Sequence, residues 1–155
     1  RLLMQGGMQE FHGKYFDFDP LIMAPVPKKR IPIYVGGTTT PALRRAARYG
    51  DGWVSVIHDM DAVAGMLAQL DGFRREFGRE NEPFDIMMHC PDAQTVDDIR
   101  RLEDIGVTDL QVTPWSVPGI LAEMGVGAIM QQQPPLDVKL EAIKRYAGQV
   151  IARFA

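Results

Sequence analysis

The stretch at residues 31–56, IPIYVGGTTTPALRRAARYGDGWVSV, constrains the fold more than any other part of the chain, because its hydrophobic period changes twice. Ile31, Ile33, Tyr34 and Val35 form a short apolar run, β-branched and aromatic, of the kind buried in parallel sheets. Gly36 and Gly37 end it. Thr40 is placed to cap a helix with Pro41 at its first position, where the missing N–H costs nothing and the fixed φ is already helical. Leu43, Ala46 and Ala47 make one apolar stripe on that helix, with Arg44, Arg45 and Arg48 on its other faces. Gly50 closes it, Asp51-Gly52 turns, and Trp53, Val54 and Val56 start a second buried strand. The stretch reads as one βαβ unit.

Gly37, Thr38 and Thr39 fall between the end of a strand and the start of a helix. Backbone N–H groups left unpaired there, with the helix dipole and the threonine hydroxyls, make an anion site of a size for phosphate. The same residues are also what a tight turn and a helix cap require. The spacing is neither the dinucleotide fingerprint nor a Walker loop with its lysine.

Either side of this unit the same alternation continues. Residues 1–10 read as the tail of a helix, ending at Gly6-Gly7 or continuing into Gln9, and residues 11–18 as a small hairpin or surface strand. Pro20, Pro25, Pro27 and Pro32 impose an extended path, and Lys28, Lys29 and Arg30 form a solvated basic loop. Beyond Val56, Asp59 or Asp61 is placed to cap a helix carrying Val63, Met66, Leu67, Leu70 and Phe73 and ending at Gly78. Phe84, Ile86, Met87 and Met88 make a strand with His89 and Cys90 at its end. Thr95 and Asp98 form a capping box for a helix buried through Val96, Ile99, Leu102 and Ile105, with Gly106 after it. Leu110, Val112 and Trp115 make a fourth strand. Residues 116–135 read as a long loop with a short helix, and residues 136–154 as a final helix buried through Leu136, Leu140, Ile143, Ala147, Val150 and Phe154. Four β/α units without an antiparallel signal predict an α/β fold with a parallel sheet.

Composition removes several alternatives. A 155-residue chain with 46% hydrophobic and 24% charged residues has the make-up of a globular domain, not of a disordered segment. A net charge of −3 leaves no basic surplus for nucleic acid or an anionic membrane, and no apolar run is long enough to span one. Cys90 is the single cysteine, which suits a reducing cytoplasm. His12, His58 and His89 lack metal-ligand spacing, so no metal site is expected.

The run VGGTTTPALRRAARYGDGW resembles the segment VGG-x-S/T-x-x-ALRRAAR-x-GDGW of luciferase-like flavin monooxygenases and their F420-dependent relatives, and the upstream FHGKYFDF and MAPVPKKRIP resemble the approach to the fifth barrel strand in that family. The resemblance implies the C-terminal half of a TIM-type (β/α)8 barrel: residues 1–30 an insertion and linker, residues 31–155 four β/α units. It implies an oxidoreductase or monooxygenase acting on a small organic substrate, with the phosphate of FMN or coenzyme F420 at Gly36, Gly37, Thr38 and Thr39. In such barrels function gathers at the C-terminal strand ends, which makes Ser55, His58, His89 and Trp115 the candidates for the substrate pocket. No catalytic acid, base or nucleophile stands out; Cys90 and Trp53 read as core, with the Trp53 indole N–H bonded to backbone. A half-barrel alone is expected to be inactive and to self-associate, most simply as a homodimer. The rival readings are a non-catalytic binding or interaction module on the same half-barrel, and a sugar-phosphate barrel enzyme, which would need acidic or lysine catalysts at the strand ends.

Overall fold

The computed structural model describes residues 1–58, 60–116 and 134–154. The expected cap at Asp59 and the short helix expected within residues 116–135 lie outside the described residues. The chain divides into two compact units, residues 1–32 and residues 33–155.

In the first unit a 3₁₀ turn at Leu2–Gln5 is followed by a hairpin of β1 (Met8–His12) and β2 (Asp17–Ile22), paired from Met8↔Ile22 to His12↔Asp17. Of the two ends expected for the first helical segment, Gly6-Gly7 is the one found, on a 3₁₀ turn, and continuation into Gln9 does not occur. Gly6 and Gly7 both take positive φ, which no continuing helix accommodates, and the residues after them pair as a strand instead. The Phe11 and Phe18 rings stack across the hairpin at 6.2 Å. Pro20 is tolerated within β2 because that strand pairs on one side only.

The second unit carries β3 (Tyr34–Gly36), α1 (Thr40–Tyr49), β4 (Gly52–Ile57), α2 (Met60–Glu76), β5 (Asp85–His89), α3 (Val96–Asp104), β6 (Asp109–Gln111) and α4 (Leu136–Gln149). The four strands form one parallel sheet in the order β3-β4-β5-β6, with Val35↔Trp53↔Ile86 and Met88↔Leu110 in register. Those five residues share one face, since side chains alternate along a strand. That face meets Leu43, Ala46 and Ala47 of α1, Val63, Leu67 and Leu70 of α2, and Leu102 of α3 to make the core. The other face, with Tyr34, Val54, Met87 and His89, is only half-buried.

Helix α1 starts by means other than those expected. It begins at Thr40 with Thr39 as the extended flanking residue, and no threonine hydroxyl caps it. Pro41, second in the helix, removes one of the two amides a cap side chain accepts from, and the Ala42 amide is already bonded to the Thr39 carbonyl at 2.8 Å. At the other end Gly50 closes the helix as expected, its amide donating to the Ala46 carbonyl at 2.8 Å, but it is extended (φ −78°) and not left-handed. Arg79 completes the closure, its guanidinium donating to the carbonyls of Ala47 (2.8 Å) and Gly50 (3.0 Å) while Nε donates to Glu82 (2.8 Å). Arg44 and Arg48 are not merely solvated. Arg44 lies over the rings of Phe73 and Phe77 and is bidentate to Glu76, and Arg48 lies over Phe77, so the arginines join α1 to α2.

The capping box at α3 forms as expected, with the Asp98 amide donating to Thr95 Oγ1 at 3.2 Å and the Thr95 amide to Asp98 Oδ2 at 3.0 Å. Gly106 takes φ +100° beyond its end. Of the predicted stripe only Leu102 is fully buried, and Ile105 is exposed. Helix α2 stops at Glu76, before Gly78. β6 is shorter than predicted and leaves Trp115 in a turn beyond it. The final helix is corrected most. It ends at Gln149 with a 3₁₀ turn at Ile151–Arg153, and it buries Ala142 and Tyr146; of the expected stripe Val150 is buried just beyond the helix, whereas Leu136, Leu140, Ile143 and Phe154 are exposed. Two stripes lie side by side on this helix, and the one through Ala142 and Tyr146 is the buried one.

Replacing Arg79 by alanine should cost about 1–3 kcal/mol, because it strands helix-end carbonyls that accept a charged donor. Urea unfolding of the R79A protein measures this; an unchanged midpoint would assign the closure of α1 to solvent.

Candidate functional site

β3, β4, β5 and β6 run parallel, so their C-terminal ends lie along one rim. At the end of β3, Gly37 holds φ +108°, a conformation open to glycine and strained for other residues, and a Cβ added there would lie 2.9 Å from Ala42 Cβ. Gly36 is less constrained, its added Cβ meeting Val54 at an ordinary 3.7 Å. The Trp53 indole Nε1 donates to the Gly37 carbonyl at 2.8 Å, the backbone partner expected of this tryptophan. Thr38 and Thr39 precede the helix, and among the described residues no hydrogen bond from either amide is found. Thr40, first in α1, has no intrahelical partner for its own N–H. Three successive donors therefore stand at a helix N-terminus beside a backbone bare of side chain. Open backbone donors at a helix N-terminus are the groups by which an anion such as phosphate is bound.

The neighbouring strand ends bring two of the four pocket candidates together. β4 and β5 change register between Val54 and Ile57, an irregularity of the kind that re-aims residues at strand ends. The His58 amide then donates to the His89 carbonyl at 3.1 Å, tying the two histidine positions through the backbone. His89 Nε2 lies 2.7 Å from Thr113 Oγ1, and the Gln94 side-chain amide donates to the carbonyls of Pro91 (2.6 Å) and Thr113 (3.3 Å). Burial pushes the His89 pKa below its usual value, so the imidazole is held neutral, able to donate at one nitrogen and accept at the other.

The other two candidates sit apart. Ser55 is 3% exposed, and its hydroxyl has no hydrogen-bond partner among the described residues. Trp115 turns into a separate cleft of about 480 Å³ with Asp137, Glu141 and Arg145, where Lys139 Nζ lies 5.4 Å over its ring. Gln94 was not legible as a site residue, because it lies five positions past the strand and reaches the rim only through its side chain. Cys90 is fully buried. Among the described residues no cluster of three or more histidine, cysteine or acidic side chains could hold a metal, and no helix is long and apolar enough to cross a membrane.

The family profile of luciferase-like monooxygenases matches residues 1–105. An uncharacterized protein of Mycobacterium tuberculosis (strain ATCC 25618 / H37Rv) is 37% identical over 153 residues, which is 99% of this chain and 49% of that protein. Pyrimidine monooxygenase RutA of Allorhizobium ampelinum is 28% identical over 96 residues, covering 59% of this chain and 26% of RutA. The chain thus spans about half the length of the mycobacterial relative it matches. Among solved structures, the coenzyme F420-dependent tetrahydromethanopterin reductase of Methanopyrus kandleri superposes with a TM-score of 0.63 at 16% identity, over 99% of this chain and 60% of the reductase. An F420-dependent secondary alcohol dehydrogenase, solved with an F420–acetone adduct, superposes at 0.53 and 19% identity over 91% of this chain and 40% of its own. These two share the fold, and the parallel half of a barrel is its form here.

The neutral His89 sets a pH dependence. The unfolded chain takes up a proton near the ordinary histidine pKa and the folded chain resists it, so the contribution is present above that pKa and lost as pH falls towards the depressed folded value. H89Q should narrow the difference in urea midpoint between about pH 8 and pH 5; an equal acid loss in H89Q would assign it to other groups.

Proposed function

Because this chain belongs to the luciferase-like monooxygenase family, we propose that it supplies the phosphate-binding loop and part of the substrate pocket of an oxidoreductase that uses FMN or F420 on a small organic substrate. The observation that carries this reading is the Gly37 loop, with a bare backbone and unpaired amides at a helix N-terminus. Gly36, Gly37, Thr38 and Thr39 would hold the cofactor phosphate through backbone N–H groups and threonine hydroxyls. The cofactor supplies hydride or oxygen chemistry when bound, which is why the strand ends need no nucleophile of their own. His89, fixed by Thr113 and kept neutral by burial, would orient substrate at the rim next to His58. In this reading residues 1–30 are the insertion that precedes the half-barrel, and the work is done in the cytoplasm.

G37V should weaken both FMN and F420 by about tenfold or more, since the side chain meets Ala42 and the φ is strained. Equilibrium titration of the protein measures this, and unchanged affinity would remove the site. Turnover assays with reduced FMN and reduced F420, with and without air, separate the two cofactors. Binding of neither cofactor would favour the interaction-module reading.

The 155-residue chain by itself should self-associate, most simply as a homodimer. β3 and β6 pair on one side only, and Leu136, Leu140 and Ile143 lie exposed along α4. At about 25 cal/mol per Å², covering even a few hundred Å² of that surface offsets several kcal/mol. Sedimentation across a dilution series would show it; a monomer that stays folded at low concentration would overturn it.

A further inference from the structure

We propose that Trp53 is the positioning residue of the phosphate loop, acting through the Gly37 carbonyl to aim the Thr38 amide into the anion site. The inference rests on the reading of that loop as a phosphate site, and goes beyond it by assigning a core residue to the loop's function. Trp53 is fully buried on β4, packed in the core with Leu43 of α1 and Leu70 of α2. Its indole is a donor only, and it spends that donor on the Gly37 carbonyl at 2.8 Å, sixteen positions earlier in the chain. A trans peptide sets its C=O and N–H in opposite directions. With the Gly37 carbonyl drawn in towards the indole, the Thr38 N–H of the same peptide plane points away from the core. The Thr38 amide makes no hydrogen bond among the described residues. Turning this peptide over would bring an N–H against the indole N–H, leave two buried donors facing each other, and take the Thr38 donor out of the site. Phenylalanine would fill most of the same core volume but would leave the carbonyl free to turn. Burial explains an aromatic residue at position 53; the bond to Gly37 explains why it carries an N–H.

The test compares ligands with and without the phosphate. Affinities for FMN and riboflavin, which differ by that group alone, and for F420 and the deazaflavin riboside without its phosphodiester-linked tail, are measured on the wild-type protein, W53F and L70A. L70A loosens the same core without touching the loop. The wild type should prefer each phosphorylated form; W53F should lose about tenfold of that preference with the dephosphorylated ligands nearly unchanged, and L70A should keep it. A wild type without preference overturns the loop reading and this proposal with it. A wild type that discriminates while W53F discriminates equally overturns this proposal alone. Loss of preference in both W53F and L70A makes the effect one of core packing and also overturns it. If W53F does not fold, 3-benzothienylalanine at position 53, which keeps the bicyclic shape and lacks the N–H, is measured in its place and decides by the same ratios.

Discussion

Burial of Trp53 is the interaction on which the second unit depends. Its ring is enclosed where the sheet meets α1 and α2, so the position of either helix is set against a large rigid group. The two glycines nearest it make close approach possible. A Cβ on Gly52, one residue before it, would lie 2.7 Å from the Asp85 carbonyl and from the Tyr34 ring, so β4 can pair tightly with both neighbours only without a side chain there. Gly37 is where the ring's polar edge is met. The core and the candidate loop are therefore one packing problem.

The outer surface of α1 and α2 solves a different one. A helix with three arginines on ten residues would repel itself were they all solvated together. Stacking Arg44 over Phe73 and Phe77 and pairing it with Glu76 converts that charge into inter-helix contact, and Arg79 carries a further guanidinium to the carbonyl end of α1, where the helix dipole favours it. At 47% exposure for both partners the Arg44–Glu76 pair contributes modestly, and the aromatic faces beneath it contribute the orientation.

How much of this was legible follows from the range of each signal. The βαβ unit, the α1 stripe and the Thr95–Asp98 box were read because their determinants lie within a few residues of one another. The Trp53 bond to backbone was foreseen in kind, since a buried indole needs a partner, but not that the partner would be Gly37. The closure of α1 by Arg79 depends on a residue about thirty positions away and left no local trace. The α4 face was misread because two apolar stripes run side by side on it, and only the tertiary neighbours decide which is covered. At residues 1–10 the end at Gly6-Gly7 was legible, and continuation into Gln9 failed because both glycines take positive φ. At the site, the strand-end rule named four residues by position alone; the backbone ties His58 to His89, while Ser55 is buried and Trp115 lines another cleft, because the rule carries no information on side-chain direction.

The two ends of the sheet treat their polar groups in opposite ways. At the N-terminal ends each strand is tied to the next: Asp51 accepts from the Ile33 amide at 2.9 Å while its own amide donates to the Ile33 carbonyl at 2.8 Å, and the Asp85 amide donates to the Asp51 carbonyl at 3.1 Å. The Tyr34 hydroxyl donates to Asp85 at 2.6 Å, which raises the tyrosine pKa, and Thr108 Oγ1 accepts from the Ile86 amide at 2.7 Å. Polar groups there are matched within the protein, so that end has little to offer a ligand and much to lose on mutation. At the C-terminal ends the Thr38 and Thr39 amides have no hydrogen bond among the described residues, and His89 is neutral with a second ring nitrogen beyond the one facing Thr113. The fold satisfies one end internally and leaves donors open at the other, the division between stability and binding on which the proposed site would draw. A site built on the second end can keep open donors because the matched end holds the strands in register beneath it.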